Sequence, residues 1–164
     1  MYRSTILSFA ACIRHGLIPN LLSGGVNPRY NCRDAPWWWL QSVQDYCLLA
    51  PNGYKILDAE VRKLFTNDES PAAFDSEDCI PLKEIVQEIL QSHYQGIEFR
   101  ERGAGGNLDK DMTPPGFNVR AGVDKKTGLV YGGSVHNCGT WMDKVGESSW
   151  AGNKGVPATP RYVV

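Results

Sequence analysis

The chain has 164 residues, 42% of them hydrophobic, which suffices for one core of ordinary domain size and not for several domains. Lys plus Arg number 17 against 18 Asp plus Glu, and the resulting formal charge of -1 offers no net field to a polyanion or a lipid surface, so nucleic acid and membrane partners are disfavoured. The five cysteines (Cys12, Cys32, Cys47, Cys79, Cys138) are odd in number and scattered, without a C-x-x-C pair or a histidine at metal-ligand spacing; they read as reduced, mostly buried thiols in a reducing compartment.

From the N-terminus, the spacing of Ile6, Phe9, Ala10 and Ile13 predicts a helix over residues 4–15, ended by Gly16 and Pro19. The apolar stretch from Ile6 to Ile13 is shorter than a membrane span and is followed by no small-residue cleavage site, which makes the cytoplasm the expected location. Residues 18–30 hold Pro19, Gly24, Gly25 and Pro28 and predict a loop. Asp34 is placed to cap the next helix and Pro36 suits its first turn, after which Trp37, Leu40, Val43, Cys47 and Leu48 keep helical spacing up to Pro51-Asn52-Gly53. A short helix is predicted from Ile56 to Phe65, then an exposed polar insertion from Thr66 to Asp78. Leu82, Ile85, Val86, Ile89, Leu90, His93 and Tyr94 make one apolar helical face, with Gly96 as the stop.

Beyond that helix the pattern changes. Arg100 to Gly106 and Met112 to Gly116 predict a long loop. The alternation of Phe117, Val119 and Ala121, answered across Asp124 to Gly128 by Leu129-Val130-Tyr131, predicts a hairpin with glycine at the positive-φ position. It presents Gly132-Gly133 and then Asn137 to Asp143. The end, Pro160 to Val164, carries neither cap nor polar tail, as expected of a truncated chain.

Three consecutive tryptophans, Trp37 to Trp39, point about 100° apart on a helix, so one core face cannot take them all. Either they pack against several neighbours in a large helical domain, or at least one is a flat platform for the apolar face of a sugar. Arg33 and Asp34 at a loop-to-helix junction can grip hydroxyls through charge-assisted hydrogen bonds, or serve only as a solvated cation beside a cap. Asp143, beside Trp141, sits where desolvation would keep a carboxyl protonated for general-acid work; an ordinary loop aspartate is the alternative, and Glu147 competes for the role. Glycosidic hydrolysis takes two carboxyl groups, and only one is well placed. Gly103, Gly105 and Gly106 lack the following Lys-Ser/Thr of a phosphate loop and read as turn formers. His15, His93 and His136 lie too far apart to suggest a metal site. No cofactor is implied.

Gly16 to Leu22, Asn31-Cys32-Arg33-Asp34-Ala35-Pro36-Trp37-Trp38-Trp39-Leu40-Gln41, Asn137-Cys138-Gly139-Thr140-Trp141-Met142-Asp143-Lys144 and Pro157 to Arg161 closely resemble the C-terminal, amylo-α-1,6-glucosidase region of eukaryotic glycogen debranching enzymes. The resemblance runs over nearly the whole chain. It implies a mainly α fold, an incomplete (α/α)6 toroid of glucoamylase-like type with a small β-hairpin insertion, and makes residues 1–164 one partial domain. It also implies glycogen or limit dextrin as substrate and hydrolysis of α-1,6 branch points releasing glucose. By this likeness Asp143 is the general acid, and Arg33, Asp34, Trp37, Trp38, Trp141 and Arg161 bind substrate. The general base then belongs to a later part of the enzyme, and the remainder of that chain is the expected partner. The separate 4-α-glucanotransferase activity of such enzymes belongs to a region with no counterpart here. Twelve helices of about 12 residues with loops of about 5 need roughly 200 residues, which supports an incomplete ring. The alternative is a catalytically inactive glucan-binding fragment, or a fragment too unstable to function.

Overall fold

The computed structural model describes residues 1–24, 27–30, 32–67, 70–75, 77–101, 117–132 and 162–163. Helix α1 is Tyr2–Ala10, and it buries Ile6 and Ala10, one turn apart on one face. It stops short of the predicted residue 15. Arg14 and Leu17 exchange backbone hydrogen bonds of 3.1 and 2.9 Å across His15 and Gly16, whose φ values of 54° and 72° are left-handed. That tight turn pulls the chain out of the helix, while Ile13 stays fully buried.

The predicted loop at 18–30 contains a small antiparallel pair, β1 (Leu21–Ser23) with β2 (Asn27–Arg29). Helix α2 spans Ala35–Leu49. Asp34 occupies the cap position and Pro36 the first turn as expected, but the Asp34 side chain caps no amide. Its carbonyl accepts from Trp37 and Trp38 at 3.0 and 3.1 Å instead, leaving the carboxylate for other partners. The helix ends at Leu49 because Ala50, which precedes a proline, is extended (ψ 145°).

The helix predicted over 56–65 is not formed. A 3-10 helix, Gly53–Asp58, leads instead into strand β3 (Glu60–Arg62), which pairs antiparallel with β4 (Cys79–Pro81). Strand pairing with residues some twenty positions later satisfies the backbone here, and Val61 is buried in the alternating pattern of a strand. Between them the polar run is mostly exposed, as predicted, although Ala73 N–H donates to Leu64 O at 2.7 Å.

Helix α3 (Leu82–Gln95) matches its prediction closely, burying Leu82, Ile85, Ile89 and His93. Each fully buried isoleucine there contributes about 1.5–3 kcal/mol. Gly96 ends it with φ 96°, a conformation that disfavours any side chain. Leu82, Ile85 and Ile89 join Ile6, Ala10, Ile13, Ile18, Trp39, Val43, Ile56 and Val61 in one core.

Strand β5 (Ile97–Glu101) runs into the stretch expected to be loop, and places Ile97 and Glu101 on one buried face. It pairs with β6 (Phe117–Val123), β6 with β7 (Val130–Gly132), and β7 with β8 (Tyr162–Val163), all antiparallel. The predicted hairpin is β6–β7, with Gly128 at φ 75° and Asp124 Oδ1 accepting the Lys126 amide at 2.8 Å. A second core of Leu17, Tyr30, Ile97 and Val119 lies against this sheet. The described architecture is thus helices with small antiparallel sheets, carrying more strand than the single hairpin expected. No helix among the described residues is long and apolar enough to cross a membrane. Of the four described cysteines, Cys12 and Cys32 are buried, Cys47 is half-buried and Cys79 is exposed. Burial raises the Cys12 thiol above its ordinary pKa.

Candidate functional site

Because successive helical residues turn by about 100°, the three tryptophans separate. Trp39 enters the core, where its Nε1–H donates to Ile6 O at 3.1 Å. Trp37 turns toward α3 and meets His93 edge-on, ring centroids 5.0 Å apart. Its buried Nε1 and the Nε2 of His93 have no hydrogen-bond partner among the described residues. His93 Nδ1 lies 2.8 Å from Ile89 O, which requires that nitrogen to carry the proton. Burial holds His93 below its ordinary pKa, against a smaller opposing effect of the Ile89 carbonyl.

Trp38 is 69% exposed and stands over an open groove of about 550 Å³ between α1 and α2. Phe9, Pro19, Asn20 and Asp34 also line it. The groove therefore offers aromatic faces, a carboxylate and an amide whose Oδ1 is without a hydrogen-bond partner among the described residues. This combination of stacking surface and hydroxyl-binding groups is what a sugar ring presents its two kinds of surface to.

Arg33 precedes Asp34 but is 4% exposed and does not line the groove. Its Nη1 donates to Gly132 O on β7 at 3.2 Å. A Cβ on Gly132 would lie 2.6 Å from Arg33 Cβ, so only glycine lets the arginine stem pass so close. The approach to Arg33 is fixed as well. Tyr30 N–H donates to Glu101 Oε1 at 3.0 Å, and Tyr30 Oη–H donates to Cys12 O at 2.6 Å, both buried. Arg14 stacks its guanidinium over Phe65, 5.0 Å from the ring centre, and donates to Ser70 O at 2.7 Å.

Among the residues predicted to act, the structure brings Asp34 and Trp38 together in one groove, puts Arg33 behind them against β7, and directs Trp37 to α3. Asp143, Trp141 and Arg161 lie outside the described residues, as do Glu147, His136, Cys138 and Gly103, Gly105 and Gly106. Sequence reasoning missed Tyr30, Glu101 and the role of Gly132. Tyr30 and Glu101 are 71 positions apart and no local spacing links them. The doublet Gly132-Gly133 was the one visible signal, since adjacent glycines after a hairpin allow a close approach.

The profile of the amylo-alpha-1,6-glucosidase family matches residues 2–163, and the chain belongs to that family. Among curated relatives, the glycogen debranching enzyme of Saccharomyces cerevisiae is 53% identical over 165 residues. That alignment covers 97% of this chain and 11% of the yeast protein, so the chain spans about a tenth of the relative's length.

Proposed function

We propose that residues 1–164 are part of the amylo-α-1,6-glucosidase domain of a longer cytoplasmic glycogen debranching enzyme, within an (α/α)6 toroid that this segment does not complete. The family match over residues 2–163 carries the reading, and the shared groove of Asp34 and Trp38 supports it. Trp38 stacks on the terminal glucosyl ring of glycogen or a limit dextrin. Asp34 borders the same groove, while Arg33, held against β7, and Trp37, turned toward α3, are assigned to substrate binding with Trp141 and Arg161 on the family likeness. Asp143 protonates the departing glycosidic oxygen while a carboxylate from a later region activates water on the opposite face, about 6.5–9.5 Å away. Glucose leaves, and the 4-α-glucanotransferase step belongs to a different region of the longer protein.

Asp143→Asn in the complete polypeptide tests this. Free glucose from a branched dextrin should fall by at least about a hundredfold, the scale of lost general-acid catalysis, while glucan transfer continues. Unchanged glucose release would remove Asp143 from its role, and loss of both activities would remove the separation of sites. A second reading is favoured by the groove being lined by α1, α2, residues 18–20, Cys32 and Asp34, all within this segment. The isolated chain then binds glucan through Trp38 and Asp34 and releases no glucose.

A further inference from the structure

We infer that Gly132 and Glu101 are positioning residues that fix Arg33 and Asp34 for substrate, so that the sheet sets the geometry of a site built on α2. The inference rests on reading Arg33 and Asp34 as the glucose-holding pair. Gly132 acts on Arg33 in two ways. Its carbonyl takes the Nη1 hydrogen bond at 3.2 Å, and its missing side chain leaves room for the Arg33 stem, which a Cβ would meet at 2.6 Å (Cβ), 2.8 Å (Cδ) and 3.2 Å (Cγ). A guanidinium is a rigid planar fork, so the Nη1 bond to β7 together with the close-packed stem fixes its orientation.

Glu101 acts four residues ahead of Asp34. Its buried Oε1 accepts the Tyr30 amide at 3.0 Å, while the Tyr30 hydroxyl is tied to Cys12 O. The segment entering α2 is therefore clamped from β5 at Tyr30 and from β7 at Arg33, two strands of one sheet joined through β6. Such two-point support holds a binding pair to the narrow tolerance that recognition demands.

Steady-state glucose release from a limit dextrin, measured on the complete polypeptide, tests the inference. Gly132→Ala displaces the Arg33 stem, and Glu101→Asp withdraws the carboxylate by one methylene while keeping its charge. Each should raise KM about tenfold with kcat changed less than about twofold, as expected for loss of a charge-assisted contact to bound substrate. Arg33→Ala should raise KM at least as much, and Gly132→Ala added to it should raise KM little further, because the group being positioned has gone. A purely structural glycine would instead lower yield or melting temperature and multiply with Arg33→Ala. If Arg33→Ala raises KM while Gly132→Ala and Glu101→Asp keep the wild-type value, the positioning role is overturned and the substrate-holding reading survives. Should Arg33→Ala and Asp34→Asn both keep wild-type KM, the substrate-holding reading itself falls. If Gly132→Ala yields no folded protein, Glu101→Asp decides alone.

Discussion

Trp38 and Trp39 are neighbours in the chain with opposite surroundings, one 69% exposed over the groove and the other in the core. Trp39→Ala should therefore cost about 3–5 kcal/mol in a denaturant titration, the range for an aromatic lost from a core. Trp38→Ala should stay within about 0.5 kcal/mol and instead weaken retardation of the chain in a glycogen-containing gel. His93 carries a second residue-scale expectation. Its folded pKa is depressed below the unfolded value, so the unfolded chain takes up the proton first as pH falls. The stability His93 contributes is thus present above about pH 6.5 and lost below it. Urea midpoints compared at pH 7.5 and 5.5 should fall less in His93→Phe than in the wild type, and an equal fall would show that the histidine is not buried neutral.

At the scale of elements, Gly96 shows how a single residue closes a helix. With φ 96° it leaves the helical region at the end of α3 and turns the chain into β5. Gly96→Ala should destabilise by about 1–2 kcal/mol, read as a lower thermal midpoint with α3 otherwise intact. The same residue was legible in advance, as was all of α3, because apolar positions at helical spacing followed by glycine depend only on local sequence. The β6–β7 hairpin was legible for the same reason, through Asp124 and Gly128. By contrast, β3 and β4 were hidden. Val61 and Ile80 become strand residues only by pairing with each other across an intervening polar run, and nothing within a helical window announces that partner. The apolar period runs on past the end of α1 because Ile13 is buried, although the His15–Gly16 turn takes the backbone away from the helix. In the groove, Asp34 and Trp38 were legible through their residue types, whereas the supports at Glu101 and Gly132 lie 71 and 99 positions from the residues they hold.

On the scale of the molecule, α2 is apolar around much of its circumference while burying only Pro36, Trp39 and Val43 fully. Leu48 and Leu49 at its end are 73% and 83% exposed. Apolar side chains grouped in this way favour association. Sedimentation velocity of the isolated chain at tens of micromolar should show self-association, reduced by Leu48→Lys with Leu49→Lys at little cost to the melting temperature. Monomers before and after the change would show that the patch is too small to drive contact. The bond from Arg33 to Gly132 carries a further consequence, one of timing. Its two ends are 99 residues apart, so at about 5–20 residues per second a ribosome needs about 5–20 seconds after making the arginine before the acceptor exists. During that interval α1, α2 and α3 can all emerge and pack while the guanidinium remains in water. The corner that we assign to holding glucose is consequently among the last features of this segment to be assembled, and a nascent chain stalled before β7 would carry the helices without the site.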